Sequence, residues 1–91
     1  MKITIDRDVC LKLEGLHYEV ESRKQVIGYM ISANMSKGDA FDSYNADYQK
    51  YFIEYEKAKS DLEKQYIIPA AGSAFTNWNL DFGTCELTIN I

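Results

Sequence analysis

The sequence predicts an α+β fold: a long antiparallel helical hairpin with a small antiparallel β-sheet formed by the N-terminal strand and a C-terminal β-hairpin. Period-two alternation of apolar residues at both ends of the chain predicts the strands, and helical spacing of apolar residues through the middle predicts the helices. The Gly38-Asp39 pair, a stop beside a start, divides the helical stretch in two. At 91 residues the chain has room for a single domain.

Residues 1–5 alternate apolar Met1, Ile3 and Ile5 with polar Lys2 and Thr4, the period of a half-buried strand. From Asp8 the period changes. Val9, Leu13, Leu16, Val20, Ile27 and Met30 recur at helical spacing, and Asp6 or Asp8 is placed to cap the first turn, which predicts a helix over 8–36. Arg23 stands where the next apolar residue is due. Gly15 and Gly28 each cost about 1 kcal/mol relative to Ala, so this helix depends on packing. Gly38 suits the left-handed conformation that ends a helix, and Asp39 can cap the next.

The second helix, predicted over 39–67, has the cleaner repeat: Phe41, Tyr44, Tyr48, Tyr51, Tyr55, Ala58 and Leu62 follow in steps of three and four. Asp47 with Lys50, Glu54 with Lys57, Glu56 with Lys59 and Asp61 with Lys64 support it, each by about 0.2–0.5 kcal/mol. Pro69 brings no N–H and is expected to push Ile68 out of the helical region and stop the helix. A short connection, Ala70-Ala71-Gly72-Ser73, leads to a β-hairpin over 74–91. There Trp78, Leu80 and Phe82 alternate with Asn77, Asn79 and Asp81, and at Gly83-Thr84 the phase flips to Cys85, Leu87, Ile89 and Ile91. A two-residue turn with Gly first explains the flip, pairing Phe82 with Cys85, Leu80 with Leu87 and Trp78 with Ile89 on one face. A two-stranded hairpin is marginal alone, so the N-terminal strand is expected to join it.

The charge balance is acidic, −4 overall with a pI near 4.8. It argues against nucleic acid and anionic membrane as partners. The longest apolar run, 67–72, falls far short of the roughly 18 residues that span a bilayer, and the first residues lack the apolar core of a signal peptide. The sequence therefore reads as cytoplasmic. Cys10 and Cys85 lie far apart, without the close Cys or His neighbours of a zinc site or redox motif. They read as buried free thiols, with a disulfide between them as the alternative.

Catalytic chemistry is not expected. Glu14 and His17 have the i, i+3 spacing of carboxylate-bridged di-iron bundles and Glu21 follows, but the inward positions of the second helix are Tyr, Ala and Leu rather than Glu. One histidine leaves no Ser-His-Asp constellation, and no glycine-rich loop stands ready for phosphate. The sequence thus predicts a non-enzyme with no cofactor, no metal and no catalytic residues.

Aromatic residues carry the functional hint, because Tyr tolerates an interface that is apolar on one side and wet on the other. The candidate interface comprises the stripe Tyr44, Tyr48, Tyr51 and Tyr55 together with Phe52, Tyr18 and Tyr29. The stripe is expected to fill the helical seam, leaving Phe52, Tyr18 and Tyr29 for a partner. The expected function is a protein-interaction subunit, binding protein partners or itself, as a homo-oligomer or as part of a larger assembly. The alternative is an adaptor that receives an extended peptide on a sheet edge and holds it for a modifying enzyme.

The segment Trp78-Asn79-Leu80-Asp81-Phe82-Gly83-Thr84-Cys85-Glu86-Leu87, preceded by Leu62-Glu63-Lys64-Gln65-Tyr66, resembles two groups of short Firmicutes proteins. One is the uncharacterised small proteins of tailed-phage and prophage genomes. The other is the accessory proteins of CXXX-repeat peptide modification systems, which similarly close on a Trp, an Asp-aromatic pair and a Thr-Cys-Glu. The first resemblance implies a small structural component of a phage or prophage-derived particle, and with it a place in the virion, and the second implies the peptide adaptor. Neither brings active-site residues with it.

Overall fold

The computed structural model of the chain describes residues 1–90. Strand β1 (Lys2–Thr4) leads into helix α1 (Arg7–Ser32), and helix α2 (Asp39–Leu62) follows. A π-helical turn (Glu63–Ile67) and a short helix α3 (Ile68–Ala71) continue α2, and strands β2 (Asn77–Asp81) and β3 (Glu86–Asn90) close the fold. This is the helical hairpin with a three-stranded antiparallel sheet that the sequence predicts. The chain gathers into two compact units: a sheet unit, Met1–Glu14 with Lys57–Ile91, and a hairpin unit, Gly15–Glu56.

In the sheet unit, β3 lies in the middle, in the order β1-β3-β2. Leu80 faces Leu87 and Trp78 faces Ile89, the register that the alternation predicts. Ile3 pairs with Leu87 from the other side. The register is set by burial, because a slip of one residue would turn Leu80, Leu87 and Ile89 out to water. Those three pack with Ile5, Cys10, Leu13, Leu62, Ile67 and Cys85 into one core. Burying side chains of this size contributes about 1.5–3 kcal/mol each.

The turn between β2 and β3 differs from expectation. It is a four-residue loop closed by the pair Asp81 and Glu86, so Phe82 and Cys85 do not pair as strand residues. The Asp81 side chain accounts for the extra length. Its Oδ1 accepts the Gly83 N–H at 2.8 Å and the Thr84 N–H at 3.3 Å, while its carbonyl accepts the Cys85 N–H at 2.8 Å. The positive φ of the loop falls at Cys85 (+58°) and not at Gly83. At Gly83 a Cβ would stand 3.2 Å from Asp81 Oδ1, so glycine there serves close approach.

Asp6 is the cap of α1. Its carboxylate accepts the Asp8 N–H at 2.8 Å and its carbonyl accepts the Cys10 N–H at 3.0 Å. At the other end of the helical pair, Pro69 does not stop the helix as expected, and Ile68 keeps helical dihedrals (φ −61°, ψ −44°). The turn before the proline widens instead: the Ile68 N–H reaches back to the Glu63 carbonyl, a π-type bond that gives the ring room. The helix runs on through Ala70 and Ala71 and ends at Gly72, with φ +74°.

In the hairpin unit, α1 ends at Ser32, short of the expected 36. Asn34, at φ +58°, is the left-handed residue that ends it. The Asn34 N–H bonds to Ile31 O at 3.1 Å and the Met35 N–H to Met30 O at 2.7 Å, the paired bonds of a Schellman motif. Gly38 therefore opens the second helix and does not close the first, its carbonyl accepting the Asp42 N–H at 3.1 Å. Asp39 and Asp42 lie in the first turn of α2, where negative charge suits the helix dipole.

Candidate interaction surface

The hairpin unit closes its seam with aromatic rings and one cation. Tyr48, Tyr51 and Tyr55 are half-buried. The Arg23 guanidinium lies 3.9 Å over the Tyr51 ring, and its Nε donates to Asp47 Oδ2 at 2.6 Å. Its Nη1 donates to the Glu19 carboxylate and, at 3.2 Å, to the Glu19 carbonyl. These carboxylates, Asp47 above all, hold the Arg23 pKa above its usual range. Tyr55 Oη meets His17 Nδ1 at 3.4 Å, and their rings are tilted at 55° to each other. Arg23 thus fills the gap in the apolar repeat of α1 by pairing across the seam.

The other candidate residues divide between the two helices. Tyr44 is half-exposed and Phe52, 39% exposed, leans on Tyr48 with ring centroids 5.9 Å apart. On α1, Tyr18 is 61% and Tyr29 is 70% exposed. About three helical turns separate these two tyrosines, which places them on one face of α1. Exposed Ser22, Gln25 and Val26 lie along that face between them. The strip is uncharged, whereas Glu19, Glu21, Arg23 and Lys24 stand to its sides. Of the seven residues singled out from the sequence, Tyr48, Tyr51 and Tyr55 serve the seam, and Tyr18, Tyr29, Tyr44 and Phe52 face water. Tyr44 thus separates from the rest of its stripe, because the period that names the stripe does not register how far the facing helix covers each turn.

In the sheet unit β1 and β2 are the edge strands, each with its outer side unpaired among the described strands. Val9, Leu13, Ala58 and Leu62 floor a cavity of about 170 Å³, with Lys12 and Asp61 at its rim. That is well below the roughly 300–1,000 Å³ of small-molecule pockets. Among the described residues, no group of three or more His, Cys, Asp or Glu side chains gathers as metal ligands do. No described helix is long and apolar enough to cross a membrane. The sequence marks Arg23 only as a break in the apolar repeat and leaves open whether Cys10 and Cys85 come together, because each outcome depends on partners distant in the chain. No family model, curated protein or solved structure matches the chain.

Proposed function

We propose that this chain is a non-catalytic protein-interaction subunit that assembles, with itself or with a second protein, through the outer face of α1. The observation that carries the proposal is the strip Tyr18, Ser22, Gln25, Val26 and Tyr29: two largely exposed tyrosines on an uncharged helix face in a chain that is otherwise rich in charge. Aromatic residues flanked by charge are the composition of interface centres, where charge is depleted and Tyr enriched. The likeness of the C-terminal segment to short phage and prophage proteins supports a place for the subunit in such a particle, in the cytoplasm during assembly and in the virion afterwards.

Light scattering across a concentration series, with identification of copurifying proteins, tests the proposal. The wild-type chain is expected to run heavier than its 10.5 kDa or to carry a stoichiometric partner. The Tyr18→Asp/Tyr29→Asp double variant is expected to run as a folded monomer without one. A wild-type chain that stays monomeric and unaccompanied at high concentration overturns the proposal.

The free edge of β2 favours a second reading, the peptide adaptor, because an unpaired edge offers main-chain N–H and C=O groups to an extended peptide. Binding of an extended Cys-rich peptide that leaves the Tyr18→Asp/Tyr29→Asp variant unaffected would favour this reading.

A further inference from the structure

We propose that Cys10 and Cys85 are a disulfide-forming site, oxidised by low-molecular-weight disulfides such as glutathione disulfide, that ties the first turns of α1 to the β2–β3 loop. The two thiols sit in one core, Cys10 at 0% exposure and Cys85 at 6%. Cys10 Sγ donates to the Phe82 carbonyl at 3.7 Å, at the start of the loop that holds Cys85. Cys10 and Cys85 belong to the same cluster of buried side chains. Neither forms a disulfide in this structure.

The backbone at Cys85 adds an independent observation. Its φ of +58° is the conformation that Gly or Asn adopts at lower cost. Its carbonyl also accepts the Ile5 N–H at 2.9 Å, pinning the loop to the segment that precedes α1. A cysteine held against its backbone preference and buried in the same core as the only other cysteine of the chain points to thiol chemistry rather than to packing alone.

The exchange balances in two steps. When the loop opens, Cys85 loses its thiol proton and its sulfur attacks one sulfur of the small disulfide, forming a mixed disulfide and releasing one small thiol. Cys10 then loses its proton and attacks Cys85 Sγ. The Cys10–Cys85 bond forms, and the mixed bond breaks to release the second small thiol. Two protein thiols and one small disulfide become one protein disulfide and two small thiols. Burial pushes the Cys10 thiol up to about 11, helped by Cys85 and Glu14 and opposed by Arg7. Cys10 is therefore assigned to the second step, and the exchange is expected to quicken as the pH rises.

The whole chain, equilibrated in reduced and then oxidised glutathione, quenched in acid, unfolded and treated with maleimide, tests the proposal by intact mass. The oxidised sample is expected to lose the mass of two hydrogens and take up no maleimide, and reductant is expected to reverse both changes. Closing so long a loop is expected to raise the thermal midpoint by on the order of 10 °C. The Cys85→Gly variant, whose glycine suits the loop, is expected to fold and to show no such rise. Two maleimide adducts after full oxidation, stable glutathione adducts, or disulfide-linked dimers in place of the internal bond would each overturn the proposal.

Discussion

At Arg23 a cation takes a position that the apolar repeat of α1 leaves open, and three partners make it tolerable: Asp47, Glu19 and the face of Tyr51. The carboxylate contacts are partly exposed and screened by salt, whereas the stacking on Tyr51 is not. Arg23→Ala is therefore expected to lower the thermal midpoint. The gap to wild type should narrow in about 1 M salt without closing, and melts at low and high salt check both points. Cys10 sets a second expectation at the same scale. Its thiol is raised from 9.0 to about 11 in the folded chain, so between those values the unfolded chain releases a proton that the folded one keeps. The stabilisation is fully present below about pH 9 and is lost as the pH approaches 11, by at most about 1.4 kcal/mol per pH unit. Under reducing conditions, denaturant midpoints of the wild type should fall more steeply over this range than those of Cys10→Ala. Equal slopes would show that the buried thiol is not responsible.

The helix ends and the hairpin turn are decided at the scale of the element. Asn34 ends α1 in the left-handed region, which Gly occupies freely and β-branched residues resist. Asn34→Gly is expected to be neutral or slightly stabilising and Asn34→Val to cost about 1–2 kcal/mol, as read by urea denaturation. A loss with Gly equal to that with Val would exclude backbone conformation as the cause. The strands were legible because a period of two ties each side chain to a face, and so Leu80 with Leu87 and Trp78 with Ile89 follow from the alternation once the turn is placed at Gly83-Thr84. The stop at Asn34 was not, because Gly38 carries the stronger turn signal four residues later. Nor was the π turn, since Pro69 reads as a breaker unless the preceding turn widens. The same limit applies to the candidate surface. Helical spacing picks out Tyr48, Tyr51 and Tyr55 as a stripe, but the Arg23 clamp that covers Tyr51 joins residues from two helices. Tyr18 and Tyr29 were legible as aromatics outside the apolar repeat.

Over the whole molecule, the two compact units differ in how much they bury. The sheet unit holds a contiguous core from Ile5 to Ile89, whereas the buried hydrophobic residues of the hairpin unit are Val20 and Met30. Amides that open only with a large apolar core exchange slowest. Hydrogen exchange is therefore expected to be slowest in β3 and around Leu62, and faster across 18–29. Leu87→Ala should cost about 3 kcal/mol, while Tyr29→Ala should leave the isolated chain's stability nearly unchanged. Assembly through the outer face of α1 predicts a specific departure from this order. Raising the protein concentration, or adding the partner, should slow exchange in 18–29 while β3 stays as it was. Phe52→Asp extends the argument to α2. Phe52 is partly exposed beside the half-buried Tyr48, so an aspartate at 52 is expected to weaken assembly and leave the helices intact, whereas Tyr48→Asp places a charge in the seam and is expected to unfold the hairpin. Circular dichroism with light scattering separates the two effects. Equal helix content in both variants, or unfolding by Phe52→Asp alone, would place the boundary between seam and interface elsewhere on α2.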